Sequence, residues 1–109
     1  MADDVSISKS SIRASLDTVA ATEPITVRGS RLVDISVNIG AGDVLAVQGE
    51  YFSGAWVDGA PSTEWATIES YIADTVKVLR VAAARRLRLK LTTANASPTT
   101  VELTVGNKE

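Results

Sequence analysis

The sequence predicts an all-β chain, an antiparallel β-sandwich of jelly-roll type built from about seven or eight short strands. Three observations carry this expectation. Branched and apolar residues alternate with polar ones in several runs, the period that puts one set on one face of a sheet. Turn residues interrupt these runs every eight to twelve positions. No repeat of 20–50 residues is evident. At 109 residues, 45% of them hydrophobic, the chain suits a single folded domain with one modest core.

Residues 1–23 are read as an N-terminal arm, and residues 24–109 as the sandwich domain. In the arm, Ile12, Leu16 and Val19 fit one face of a short helix, while Ile12, Ala14 and Leu16 fit a strand, so both remain open. Glu23-Pro24 closes the segment. Ile25 to Arg28 is a short strand. In Leu32 to Ile39, Val33, Ile35, Val37 and Ile39 alternate with Leu32, Asp34, Ser36 and Asn38.

Gly40-Ala41-Gly42-Asp43 reads as the tight turn of a hairpin leading into Val44 to Gly49. A glycine turn around Gly54 and an aromatic start at Trp56 follow, and then a second turn, Asp58-Gly59-Ala60-Pro61. Glu64 to Ser70 alternates again, with Ala66 and Ile68 opposed to Trp65 and Thr67.

Thr75 to Val81 is a further strand, joined through Ala82-Ala83-Ala84 to the most regular run in the chain. There Leu87, Leu89 and Leu91 alternate with Arg86, Arg88 and Lys90. LRVAAARRLRLKL is rich in helix formers, but a helix would spread its leucines over a wide arc, so the period favours a strand. Asn95 to Pro98 turns the chain back into a last strand carrying Val101, Leu103 and Val105.

The chain has no Cys and no His. That removes disulfides, thiolate chemistry and the commonest general base and metal ligand. Ser and Thr are abundant, yet a hydroxyl nucleophile here would need an unusual base. Asp43, Glu50, Asp58 and Glu64 flank expected turns, but their spacing matches no loop-ligand pattern, and Asp beside Gly is ordinary turn chemistry. The chain is expected to be non-enzymatic, with no cofactor and no metal. MADDVSISKS has no apolar segment, so it is not read as a signal peptide, and no apolar run is long enough for a bilayer.

Function is therefore sought in surface and assembly. Residues 1–74 hold eleven acids against four bases, and residues 75–109 hold seven bases against two acids. Such halves, net −7 and +5, suit contact between copies, unless folding mixes the signs. Arg85, Arg86, Arg88 and Lys90, with Lys77 and Arg80 nearby in sequence, form the sharpest basic feature. No aromatic follows Tyr71, and net charge is −2, so the strand does not read as a nucleic-acid platform. It reads as a solvated face, a protected edge or a protein-docking patch. Tyr51, Phe52, Trp56, Trp65 and Tyr71 cluster in 21 residues, as core or interface material, or as a sugar-binding surface. The interface candidates are Arg85, Arg86, Arg88, Lys90, Trp56, Trp65, Tyr51 and Phe52.

Gln48-Gly49 followed by Gly54, Ala55 and Trp56 resembles a pattern in small structural proteins of tailed bacteriophages. There a strand ends in Gln-Gly-Ser, a short Asn-Asp-Gly turn follows, and a Trp opens the next strand. Lys77-Val78-Leu79-Arg80-Val81 is similar to a later Arg-containing strand that precedes a final hairpin. The likeness covers about residues 25–105. Glu50 stands where Ser is usual, and Tyr51-Phe52-Ser53 replaces the acidic turn. The resemblance implies a non-catalytic β-sandwich virion protein, made in the host cytoplasm, that decorates the capsid or forms the base of a head spike. Its partners would be copies of itself, a trimer being one arrangement, and the major capsid protein or other virion proteins, with no membrane. A tail or baseplate component, or a carbohydrate-binding module, are the competing expectations.

Overall fold

The computed structural model describes residues 4–7, 10–27, 31–57, 59–82, 84–95 and 97–108. Nine strands run through them: β1 (Asp4–Ile7), β2 (Ser11–Leu16), β3 (Ile25–Thr26), β4 (Arg31–Asn38), β5 (Val44–Val57), β6 (Ala60–Tyr71), β7 (Thr75–Val81), β8 (Arg86–Thr93) and β9 (Thr99–Lys108). They form two antiparallel sheets, a five-stranded one in the order β1-β2-β9-β4-β7 and a four-stranded one in the order β3-β8-β5-β6. Within this order β2 pairs with β9, β3 with β8, β4 with β7 and β5 with β6. The pairs are nested, so the chain behaves as one long hairpin folded at the β5–β6 turn and rolled up, with successive pairs on alternate sheets. That is a jelly roll, with β1 added outside β2.

The core lies between the sheets and follows the period of two. The five-stranded sheet contributes Ile12, Ala14, Leu16, Val33, Ile35, Val37, Val101 and Leu103, all buried. Opposite them, Leu45, Val47, Leu87, Leu89 and Leu91 are completely buried. Each such leucine is worth roughly 1.5–3 kcal/mol of burial, which outweighs the modest strand preference of the residue. The helix formers of residues 79–91 are thereby overridden.

Three expectations change. First, of the residues grouped by sequence with an arm, Asp4–Ile7 and Ser11–Leu16 are an antiparallel strand pair within the five-stranded sheet. β2 sits beside β9, and the strand alternative for Ile12, Ala14 and Leu16 is the one adopted. Second, the turn at residues 40–43 does not close a hairpin. β4 and β5 lie in different sheets, as do β8 and β9, and only β1–β2 and β5–β6 are paired neighbours in the chain among the described residues. A turn signal reports reversal of the chain, and a corner between sheets uses the same residues as a hairpin.

That corner is anchored by side chains. Gly42 takes the positive φ of 79°, and the buried Asp43 ties the corner to the β8–β9 connection. Its Oδ1 accepts the Asn95 N–H at 2.7 Å, and its Oδ2 accepts the Thr99 hydroxyl at 2.7 Å. The Gly40 N–H in turn donates to the Thr99 oxygen at 3.0 Å. The third change is in β5, which continues through the expected glycine turn to Val57. The register passes from Phe52↔Thr63 to Trp56↔Pro61, so β5 absorbs two extra residues as an irregularity, and the reversal falls at Gly59, again with φ 79°. Ala60 and Pro61 already belong to β6, while Asp58, Arg28 and Ala83 lie outside the described residues.

Candidate functional site

Because Leu87, Leu89 and Leu91 point into the core, Arg86, Arg88 and Lys90 must stand on the outer face of the four-stranded sheet. Their cross-strand neighbours follow from register. Glu50 lies between Arg86 and Trp65, Gln48 between Arg88 and Thr67, and Ala46 between Lys90 and Ser70. The result is a polar ladder three strands wide, with β5 at its centre.

Glu50 is the hub. Arg86 donates to it twice, Nε to Oε1 at 2.7 Å and Nη2 to Oε2 at 2.7 Å, the paired geometry that suits a guanidinium and a carboxylate. The Thr63 hydroxyl donates to Oε2 at 2.9 Å. With the residue only 7% exposed, the bond from Arg86 acts most strongly on the carboxyl. It outweighs the cost of burial and, with Thr63 and the charge of Arg85, holds the Glu50 pKa down to about 2. Arg86 is raised in turn by the same bond.

The next rung is knit as closely. The Arg88 Nε donates to the Gln48 Oε1 at 2.8 Å, and the Gln48 Nε2 donates to the Thr67 hydroxyl at 3.3 Å. The guanidinium carbon of Arg88 lies 4.2 Å from the Trp65 ring centroid and that of Arg86 5.6 Å, both within cation–π range. Trp65 is half-buried beneath them.

The structure thus brings Arg86, Arg88 and Trp65 together, and sets Lys90 one rung further along. Arg85 is exposed at the bend before β8, where its N–H donates to the Glu50 carbonyl at 2.9 Å. The other aromatics are elsewhere. Tyr71 is buried in the core, and its hydroxyl is pushed up to about 12, chiefly by burial. Tyr51 packs against the core from the inner face, and burial raises its pKa also. A Cβ on Gly49 would come within 2.9 Å of the Tyr51 ring, so glycine is what lets that ring fold back over the strand. Phe52 is half-exposed. Trp56 pairs through its backbone with Pro61, and its side chain lies outside what the structure describes.

Lys77 and Arg80 do not join the basic strand of β8. They are on β7 in the other sheet, and Lys77 bonds Glu69 at 2.8 Å across the open side of the sandwich. Folding pairs part of the sequence's charge asymmetry internally. The ion pairs Arg13–Glu102, Glu69–Lys77 and Glu50–Arg86 each join residues 1–74 to residues 75–109. Nested pairing does this directly, since it sets early strands beside late ones.

Sequence reasoning missed Glu50 as a hub and Gln48, Thr63 and Thr67 as its supports. The signal was present in Ala46, Gln48 and Glu50, the outward phase of a strand whose inward phase is Leu45, Val47 and Gly49. Of the other carboxylates considered, Asp43 is bonded within its corner and Glu64 is exposed. No group of three or more metal-ligating side chains is present among the described residues.

On the opposite face an open groove of about 490 Å³ crosses β2, β9 and β4, lined by Arg13, Ser15, Ser36, Asn38, Thr100 and Glu102 among others. Among the described residues no aromatic side chain lines it, and Arg13 and Glu102 pair with each other. No helix of the described residues is long and apolar enough to cross a membrane. Comparison with protein-family models, with curated proteins and with solved structures found no match to this chain.

Proposed function

We propose that the protein is a non-catalytic structural subunit of a tailed phage or phage-like particle, a capsid decoration or head-spike-base protein that works as a homo-oligomer. The observation that carries this reading is how the polar groups are used. Asp43, Glu50, Gln48, Arg86 and Arg88 are bonded to the protein's own groups. A site for chemistry keeps such groups pointed at a substrate, whereas here they lock strands together.

Jelly-roll domains serve both in capsids and in lectins, so the fold admits a sugar-binding alternative. Two features weigh against it. The Trp65 ring carries Arg88 on it, and no aromatic among the described residues lines the groove on the other sheet. The likeness of sequence at Gln48-Gly49 and Gly54-Ala55-Trp56 favours the particle, although Gly54 and Trp56 lie within β5 here and not at a turn and the start of a new strand.

The test is light scattering of the purified chain, followed by co-sedimentation with particles lacking it. An oligomer that binds particles supports the reading. A monomer that ignores them overturns it. Immunogold labelling separates head from tail or baseplate.

A further inference from the structure

Each sheet ends on two edge strands, and among the described residues three of the four are blunted. β1 has four residues and β3 two, and the register of β6 against β5 shifts twice. Short length and irregularity keep a sheet edge from pairing with another chain. β7 has neither. Its seven residues run beside β4 in unbroken register and contain no proline. Its one lysine does not guard the edge either, because the Lys77 ammonium is held by Glu69 at 2.8 Å.

This open edge is also apolar. Among the described residues β7 pairs with β4 alone. Its outward residues Val76 and Val78 are 83% and 57% exposed, with Leu32 diagonal to Val78 on β4 and Ile72 exposed in the turn before β7. A strand edge is satisfied by another strand, whose backbone continues the ladder. The sequence of β7 suits its own copy. Run antiparallel about a twofold axis at Lys77, it sets Val76 of each copy opposite Val78 of the other, so four valines form one block. The exposed Asp74, which flanks the strand, then comes opposite Arg80 at both ends, a carboxylate facing a guanidinium. The two Lys77 residues meet at the axis, each already paired with Glu69. Moving the axis to Val78 sets Val76 against Arg80, and moving it to Val76 sets Val78 against Asp74. Either shift loses both matches.

We propose that β7 pairs antiparallel with β7 of a second copy about a twofold axis at Lys77, joining two five-stranded sheets into one. The contact uses the same patch on both copies and closes as a pair. Seven residues of strand make an edge about 24 Å long, and two stacked sheets make a flank about 20 Å deep. That flank covers on the order of 500 Å² per copy, or about 1,000 Å² in all, the size at which a specific contact begins. This inference rests on the homo-oligomer reading and names the surface that reading requires.

The absence of cysteine permits a direct test. Lys77→Cys puts two thiols together at the axis. Thr75→Cys, on the same strand, leaves its two thiols about 13 Å apart in this register, beyond the reach of a disulfide. Both chains and Arg13→Cys, on another strand, are oxidised separately at equal concentration. The cross-linked pair is expected at least tenfold more from Lys77→Cys than from either reference. In parallel, the parent chain should scatter light at twice the chain mass, and the Val76→Lys, Val78→Lys double variant as a monomer with circular dichroism unchanged. Cross-linking at position 77 no stronger than the references, beside an oligomeric parent chain, overturns the edge contact and leaves the homo-oligomer standing. A parent chain that is monomeric at every concentration overturns both.

Discussion

Arg88 lies over Trp65, its guanidinium carbon 4.2 Å from the ring centroid, while its Nε bonds Gln48. The cation is held on two sides, by a ring and by an amide. Arg88→Lys keeps the charge but loses the guanidinium's contact with the ring and its directed bond to Gln48. The expected loss is about 1 kcal/mol, read as a lower urea midpoint at unchanged slope. An unchanged midpoint would mean the stack contributes nothing.

Glu50 is expected to make stability depend on acid. Its folded pKa of about 2 lies below the ordinary 4.5. The stabilisation is therefore fully present above the ordinary value and is lost as pH falls through about 2. Glu50→Gln should be destabilised by about 1–3 kcal/mol at pH 7, a value reduced from the buried-pair range because Arg86 is partly exposed. The gap between parent and variant should narrow steadily from about pH 5 downward. Parallel urea titrations at several pH values check this, and a constant gap would contradict it.

Asp43→Ala should uncouple two corners at once. It strips the acceptor from the Asn95 N–H and from the Thr99 hydroxyl, both next to the β8–β9 connection. An unsatisfied buried donor costs about 1–3 kcal/mol. Hydrogen exchange at Asn95 is expected to speed up well beyond the change seen at Leu89 in the core. Equal acceleration at both would point to global destabilisation instead.

Leu89→Ala removes a fully buried side chain from the middle of β8. A loss of about 2–5 kcal/mol is expected, set by how far the cavity collapses. Thermal unfolding measures it. A change under about 1 kcal/mol would mean the core around β8 is loosely packed.

The faces of the strands were legible from residues alone. Val33, Ile35 and Val37, and Leu87, Leu89 and Leu91, keep the phase that alternation assigns them. What joined to what was not legible at the turns. Gly42 and Asp43 signal a reversal, but whether two strands pair or part company depends on partners fifty residues away, Asn95 and Thr99. The extension of β5 was hidden for another reason. Ser53-Gly54-Ala55 carries turn residues, and a strand irregularity absorbs them at the same local cost. Arg86 and Arg88 were singled out by charge. Glu50 went unmarked as their partner because it is 36 positions from Arg86 in the chain.

The nested pairing has a consequence in time. β9, which follows the other eight strands in the chain, sits between β2 and β4 in the interior of its sheet. Until it emerges from the ribosome, β2 and β4 have no common neighbour, and the hydrophobic residues of the five-stranded sheet stay open to water. Folding must wait for the closing strand, a slow event dominated by distant partners. A chain interrupted before residue 99 would lack a seam and not just a tail, so synthesis itself screens which copies can complete the sheet.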